Sequence, residues 1–253
     1  MMRRKSRLAF TLIFILSILL IVFALGCGQR DEEEEEEVAP ANKYTDGTYT
    51  AYSDATDNGY AWAKVTVKDD NITRVELMEI TSKGNEKDYE TYDYEPSVKA
   101  YEEMPERFEE ADSAEVEIYS GATHSSEKYK QAVSRALDYA RGGLSGTYFA
   151  GMFQGQSEKT ENGYAIALVT IKDDKITAVE LKEIGKDGEF KDFANYEYEP
   201  AVEANAEMPQ RFVEANSYDV DIYSGATHSS ENYQAAVKSA LEHARKNPDK
   251  EVE

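Results

Sequence analysis

The chain has 253 residues, with 50 Asp and Glu against 28 Lys and Arg, and a formal net charge of −22 at pH 7. Residues 1–26 contain four of the basic side chains and no acidic one, so the remainder, with 24 basic and 50 acidic side chains, has a formal charge of −26. Such a surface repels phosphate backbones and anionic lipid headgroups, which argues against nucleic acid as a partner.

The N-terminus has the organisation of a bacterial lipoprotein export signal. A basic segment, Arg3 to Arg7, precedes an uncharged apolar stretch from Leu8 to Gly26, and Cys27 follows as the only cysteine. Small or aliphatic residues before a cysteine favour cleavage there, so we predict that residues 1–26 are a removed signal peptide and that the Cys27 thiol carries a lipid. An uncleaved apolar anchor is the alternative. Both readings tether the remainder to the cell membrane, facing outside the cytoplasm.

A run of like charges follows this anchor, formed by Asp31 and Glu32–Glu37. Such runs stay solvated and extended, so we predict that residues 27–44 are a disordered acidic linker. Calcium binding by the run is the alternative. The rest of the chain has no cysteine, which excludes an intrachain disulfide and a cysteine-based metal site, and we predict no metal site.

The architecture is a tandem duplication. Gly59–Ala140 aligns with Gly163–Ala244 without a gap, and 50 of the 82 paired positions are identical. Further upstream, Asp46–Tyr49 can be matched to Ser145–Tyr148, which places five extra residues in the second copy near Gln154–Glu161. Each unit then has a usual single-domain size. We place the first domain at residues 45–143, the second at 144–247 and a tail at 248–253.

Each repeat begins with a hairpin pattern. Apolar residues alternate with other residues on both sides of an Asp-Asp pair, which predicts β-hairpins over Ala61–Ile80 and Ala165–Ile184. The paired aspartates are better explained by turn chemistry than by metal binding. A helix is predicted from near Pro96 to Glu103, broken at Met104-Pro105 and followed by a second short helix.

The second half of each repeat predicts a strand, a turn and an amphipathic helix. Glu115–Tyr119 is predicted to be a short strand that leads into the turn. Apolar residues then recur at helical spacing over Tyr129–Ala140 and over Tyr233–Ala244, as expected of a helix that buries one face. The predicted fold class is α+β, with two tandem copies of a small antiparallel sheet packed against helices.

The turn itself is a repeated heptapeptide, Ser-Gly-Ala-Thr-His-Ser-Ser, at Ser120–Ser126 and Ser224–Ser230. A turn that opens into a helix offers unpaired N–H groups and a positive dipole end, which suit a phosphate. The structural alternative is an ordinary helix start, with a hydroxyl of Thr123, Ser125 or Ser126 as N-cap. A cap needs one hydroxyl, whereas seven identical residues in both copies exceed that requirement.

The segment Asp221–Thr227 resembles the flavinylation motif of FMN-binding domains, which reads Asp, two variable residues, Ser or Thr, Gly, Ala and Thr. Such domains occur in subunits of the sodium-pumping NADH:quinone oxidoreductase and of the Rnf complex. In that family a separate flavin transferase moves FMN from FAD onto the last threonine as a phosphodiester. The resemblance implies covalent FMN on Thr123 and Thr227.

The other site residues implied by this resemblance belong to the same motif. They are Ser120, Gly121 and Ala122 in the first copy, and Asp221, Ser224, Gly225 and Ala226 in the second. The first copy departs from the motif, because it has Glu117 where the motif has Asp. We expect the longer side chain to weaken recognition of Thr123 by the transferase.

Histidines and tyrosines near the turns allow two interpretations. His124 and His228 follow the threonines, and they either relay protons near the flavin or are simply solvated in the first helical turn. Four tyrosines either stack on the isoalloxazine ring or pack in the core, the second being favoured: Tyr92, Tyr94, Tyr196 and Tyr198.

The whole chain resembles the tandem-domain FMN lipoproteins of Gram-positive flavin-based extracellular electron transfer, over both repeats and the lipid anchor. The resemblance implies an electron carrier with no catalytic residues of its own. It would take electrons from a membrane quinone or NADH dehydrogenase pathway and pass them to extracellular acceptors. The alternatives are the electron-entry component of an extracellular reductase with a separate catalytic subunit, and a flavin-free surface lipoprotein that binds a ligand.

Overall fold

The computed structural model describes residues 43–248, which contain two copies of one domain. The predicted signal peptide, Cys27, nearly all of the acidic linker and most of the tail lie outside the described residues. Within residues 43–248, no helix combines the length and the apolar character that a bilayer span requires.

Both repeats have the same order of elements. The first comprises β1 (Gly47–Tyr52), β2 (Tyr60–Lys68), β3 (Asn71–Ile80), α1 (Glu95–Ala111) and α2 (Thr123–Arg141). The second comprises β4 (Gly151–Gln156), β5 (Tyr164–Lys172), β6 (Lys175–Ile184), a 3-10 turn (Phe193–Asn195), α3 (Glu199–Ala215) and α4 (Thr227–Ala244). Each set of three strands forms an antiparallel meander, in the orders β1-β2-β3 and β4-β5-β6. The α+β fold class is confirmed.

The predicted hairpins are confirmed, and their turns have the expected chemistry. Asp69 and Asp70 both have positive φ, 50° and 68°, and the corresponding Asp173 and Asp174 have φ of 52° and 59°. Two successive positive φ values define the turn whose twist matches that of paired strands, and Asp tolerates this conformation. β2 therefore pairs directly with β3, and β5 with β6.

One face of each sheet packs against the helices. In the first repeat the alternate residues Ala61, Ala63 and Val65 of β2 are fully buried. They meet the apolar stripe of α2. The apolar residues that recur at helical spacing from Tyr129 to Ala140 form this stripe, and each is at most 1% exposed. The second repeat has the same arrangement between β5 and α4. The amphipathic helix prediction is confirmed in both copies.

Two local predictions are wrong. α1 continues through Pro105 rather than breaking there, because Met104 and Phe108 on either side of the proline are both fully buried against the sheet. Burial of this continuous face outweighs the backbone hydrogen bond that proline removes. The segment from Glu115 to Tyr119 is not a strand. The N–H of Tyr119 donates to a serine hydroxyl in the following helix, Ser126 Oγ, rather than to a neighbouring strand.

The predicted five-residue insertion is also wrong, because the repeats remain in register at an offset of 104 residues upstream of the hairpins. The N–H of Tyr44 donates to Asp70 Oδ1 at 2.7 Å, and that of Tyr148 donates to Asp174 Oδ1 at 2.8 Å. The starts of β1 and β4 differ by the same 104 positions. The similarity of Ser145–Tyr148 to Asp46–Tyr49 is therefore a coincidence of composition.

The outer faces of the two sheets meet. Leu168 of β5 packs with Tyr60 and Ile80 of the first repeat in a small apolar cluster. Polar contacts surround it: Gln154 Nε2 donates to the Thr81 carbonyl at 3.0 Å, and Lys83 Nζ lies 2.8 Å from a carboxylate oxygen of the second repeat, Glu189 Oε2. The repeats therefore share a buried interface.

Candidate functional site

The repeated heptapeptide forms a sharp turn that glycine makes possible. Gly121 has φ of 83° and Gly225 has φ of 81°, a conformation that L-residues with a Cβ avoid. The carbonyl of each glycine accepts a hydrogen bond from a tyrosine hydroxyl, Tyr94 to Gly121 at 2.8 Å and Tyr198 to Gly225 at 2.6 Å. The turn is thereby fastened to the start of the preceding helix.

A serine, not the threonine, holds the turn against the helix. Ser126 Oγ accepts from the N–H of Tyr119 at 2.9 Å and donates to the carbonyl of Ala122 at 2.8 Å. Ser230 repeats both bonds in the second copy. The N-cap residue of α2 is Ala122, which has no side-chain cap. The structural alternative, in which a heptapeptide hydroxyl serves as N-cap, is therefore wrong.

The threonine hydroxyls are left free. Thr123 and Thr227 are the first residues of α2 and α4, both are exposed, and neither hydroxyl forms a hydrogen bond within residues 43–248. The first N–H of α2 that reaches a carbonyl is that of Ser126, which bonds to Ala122 at 2.9 Å. The N–H groups before it have no intrahelical acceptor and lie at the positive end of the helix dipole. A phosphate esterified to Thr123 would lie beside them.

A cleft of about 670 Å³ opens beside Thr123, and we call it the Thr123 cleft. Its volume is within the usual range for small-molecule sites. Tyr92 and Tyr94 line it and are 42% and 52% exposed. The corresponding Tyr196 and Tyr198 are 39% and 53% exposed. The favoured interpretation of these tyrosines as core residues is therefore wrong, and their rings are available to stack on a planar ligand.

A buried acid lies at the floor of the Thr123 cleft. Glu79 is 5% exposed and forms ion pairs with Lys128 and, at 3.5 Å, with Lys87. Its Oε1 accepts hydrogen bonds from the hydroxyls of Tyr89 at 2.9 Å and Tyr129 at 3.3 Å. Burial is the largest single influence and by itself would raise the pKa of the Glu79 carboxyl, but the Lys128 ammonium, a hydrogen bond from Ser125 and the Lys87 charge together lower the pKa to about 2. The carboxylate therefore stays ionised at neutral pH.

The second repeat keeps only part of this cluster. Glu183, the counterpart of Glu79, is 6% exposed and pairs with Lys191, the counterpart of Lys87. Asn232 replaces Lys128. Glu183 Oε1 is buried without a hydrogen-bond partner among residues 43–248. Sequence reasoning missed these acids and lysines, although the recurrence of Glu79 as Glu183 and of Lys87 as Lys191 was a usable signal.

The remaining predicted site residues lie in and next to the turns. Gly121, Ala122 and His124 line the Thr123 cleft, and the His124 side chain is exposed. Ser120 borders a separate shallow groove next to the turn. Glu117 is exposed and precedes the turn in the first repeat.

The second turn has the same layout. Ser224 and Gly225 are exposed, whereas Ala226 is buried. Asp221 is exposed, and its carbonyl accepts from Arg211 Nη1 at 3.0 Å. Nε2 of His228 lies 3.3 Å from Asn232 Nδ2. Within residues 43–248, no group of three His, Cys, Asp or Glu side chains is placed to hold a metal ion.

A family model, the FMN-binding domain, matches the chain twice, over residues 58–138 and 162–242. The chain belongs to the FMN-binding domain family. Both heptapeptides lie inside the matched ranges, so this tandem FMN-binding protein has one flavin-binding domain in each repeat. No curated protein sequence matches the chain.

Among solved structures, the chain is similar to the crystal structure of the CPE2226 protein from Clostridium perfringens. The two are 20% identical over 38% of this chain and 88% of that chain, with a TM-score of 0.34. The residues around Thr123 fit FMN on their own chemistry. Unpaired helix N–H groups suit the phosphate, exposed tyrosine rings suit the isoalloxazine, and the cleft is large enough for the ring.

Proposed function

We propose that this tandem FMN-binding protein is a membrane-anchored extracytoplasmic electron carrier, with FMN attached covalently to Thr123 and Thr227. One observation carries the proposal. In both copies the threonine hydroxyl is exposed at a helix N-terminus and forms no hydrogen bond within residues 43–248, while the serine three residues later supplies the structural contacts. The threonine is thus available for a reaction that the fold itself does not need.

The attachment reaction needs a flavin transferase and FAD. The threonine oxygen attacks the phosphorus that bears the riboflavin group, a new P–O bond forms, and the bond to AMP breaks. AMP leaves, and the hydroxyl proton passes to solvent. The unpaired N–H groups at the start of the helix stabilise the phosphodiester that results. The cofactor supplies the redox chemistry, and the protein positions it.

Covalent attachment suits a protein on the outer side of a membrane. A dissociable flavin would be lost by dilution there, whereas a phosphodiester is retained. The lipid on Cys27 would keep the protein near a membrane quinone or NADH dehydrogenase pathway, which supplies electrons, and extracellular acceptors would receive them. These roles rest on the resemblance of the sequence to tandem FMN lipoproteins.

Peptide mass measurement tests the attachment. We expect protein made with an active flavin transferase to gain one FMN phosphodiester on the Thr123 peptide and one on the Thr227 peptide. Thr123→Ala should abolish the mass increase on its own peptide and leave the increase on the Thr227 peptide. Thr227→Ala should do the reverse, so each variant is the control for the other. No gain at either threonine, with the transferase active on a known substrate, would overturn the proposal and favour a flavin-free binding lipoprotein.

The same experiment tests the departure from the motif in the first copy. If Thr123 is modified more slowly than Thr227, Glu117→Asp should restore the rate, because it reproduces the acid found at Asp221. If FMN attachment to Thr123 stays slow after that substitution, Glu117 is not the cause of the slower attachment.

A further inference from the structure

The two FMN sites differ by one buried charge. In the first repeat, Lys128 lines the Thr123 cleft, is 8% exposed and pairs with Glu79. In the second, the same helical position holds Asn232, which is neutral. The buried cluster of the first repeat therefore contains one carboxylate and two ammonium groups, whereas that of the second contains one of each.

We propose that Lys128 raises the midpoint potential of the flavin held by the first repeat, and that the second repeat lacks this contribution because it has Asn232. The proposal rests on the proposed function, since it requires a flavin on each repeat. Lys128 acts here as an electrostatic positioning residue and not as a catalytic one.

The physical reason is the charge that reduction creates. Two electrons from the reductant and one proton convert FMN into the anionic hydroquinone, FMN + 2 e⁻ + H⁺ → FMNH⁻. A fixed positive charge in the wall of the cleft stabilises this anion more than it stabilises the neutral oxidised ring, and burial strengthens the interaction because little water screens it. Removing the charge should therefore make the flavin harder to reduce.

Among the exposed charges near the two sites, two act in the opposite direction. The first site has Glu86 where the second has Phe190, and the second has Lys186 where the first has Ser82. Glu86 and Lys186 are exposed. Their effects should fade at about 1 M salt, where the Debye length is about 3 Å, while that of the buried lysine should persist. Potentials measured at high salt therefore isolate Lys128.

Redox titration of single-flavin proteins tests the proposal. Full-length protein with Thr227→Ala carries only the first flavin, and Lys128→Asn is added to it. Lys130→Asn is the matched control, because Lys130 has the same charge on the same helix but pairs with Glu115 away from the cleft. We expect Lys128→Asn to lower the midpoint potential at high salt, Lys130→Asn to leave it unchanged, and Lys128→Arg to preserve it.

The reciprocal variant adds a positive charge to the second repeat and breaks no existing ion pair, so it does not risk unfolding the protein in the way that Lys128→Asn does. In protein with Thr123→Ala, which carries only the second flavin, Asn232→Lys should raise the midpoint potential, because it adds a positive charge at the position equivalent to Lys128, in a repeat where Glu183 Oε1 has no hydrogen-bond partner among residues 43–248. If Lys128→Asn behaves like Lys130→Asn, or if Asn232→Lys fails to raise the potential, the proposal is overturned. Absence of flavin on the peptides, measured before each titration, would instead indicate failure of the proposed function.

Discussion

His243 lies in the interface between the repeats and should make the stability of the protein depend on pH. Its ring stacks on Tyr52 with centroids 3.9 Å apart, and Nδ1 lies 2.7 Å from the Gln154 carbonyl oxygen, to which Nδ1–H donates. Burial lowers the pKa of the imidazole to about 4, and the Gln154 carbonyl only partly opposes this. Tyr60, whose ring centroid is 5.4 Å away, offers no negative charge to stabilise an imidazolium at neutral pH.

The size and sign of the effect follow from linkage. In the unfolded chain the histidine has a pKa of about 6.5 and is protonated below that pH. In the folded chain His243 is protonated only below about pH 4. Neutral His243 therefore makes its full contribution to the unfolding free energy above about pH 6.5. That contribution is lost as the pH falls from about 6.5 to about 4. At about 1.4 kcal/mol per pKa unit, the loss is about 3 kcal/mol.

Urea unfolding at about pH 7 and about pH 4 measures the effect. Carboxylates also titrate in this range, so wild type is compared with His243→Gln, which does not titrate. We expect wild type to lose about 3 kcal/mol more unfolding free energy than the variant between the two pH values. His124→Gln, at an exposed histidine, is the control and should behave as wild type does. Equal pH dependence of wild type and His243→Gln would refute the reasoning.

Two further predictions concern packing in the second repeat. Gly155→Ala should lower the unfolding free energy by about 1–3 kcal/mol, because its Cβ would lie 2.1 Å from the Ala240 nitrogen; an unchanged melting temperature would contradict this close approach. Ser230→Ala should cost about 1–3 kcal/mol, because it leaves the Tyr223 N–H without its acceptor, and a loss no larger than that of the exposed Ser224→Ala would contradict the assigned role.

The hairpins and the turns could be predicted because local chemistry determines them. Asp tolerates the positive φ found at Asp69 and Asp70, and Gly121 adopts positive φ readily because it lacks a Cβ. The apolar stripe of α2 was equally visible, since its helical spacing is a property of the sequence alone. The same local information located the threonines at the helix start.

The features that were missed depend on contacts between distant residues. Whether α1 continues through Pro105 is decided by the sheet against which Met104 and Phe108 pack. The pairing of Glu79 with Lys128 joins positions 49 residues apart, which no local pattern reveals. The bond from Tyr94 to the Gly121 carbonyl joins positions 27 residues apart, and it forms only once both helices are in place.

The shared interface has a consequence for the order in which the protein is made. The first repeat leaves the ribosome before the second, whose equivalent positions follow 104 residues later. Until then Tyr60 and Ile80 lack the Leu168 side chain that completes their cluster, and Thr81, in the wall of the Thr123 cleft, lacks its bond from Gln154. The Thr123 cleft is therefore complete only after synthesis of the second repeat, and a transferase that needs the completed cleft would act on Thr123 after translation rather than during it.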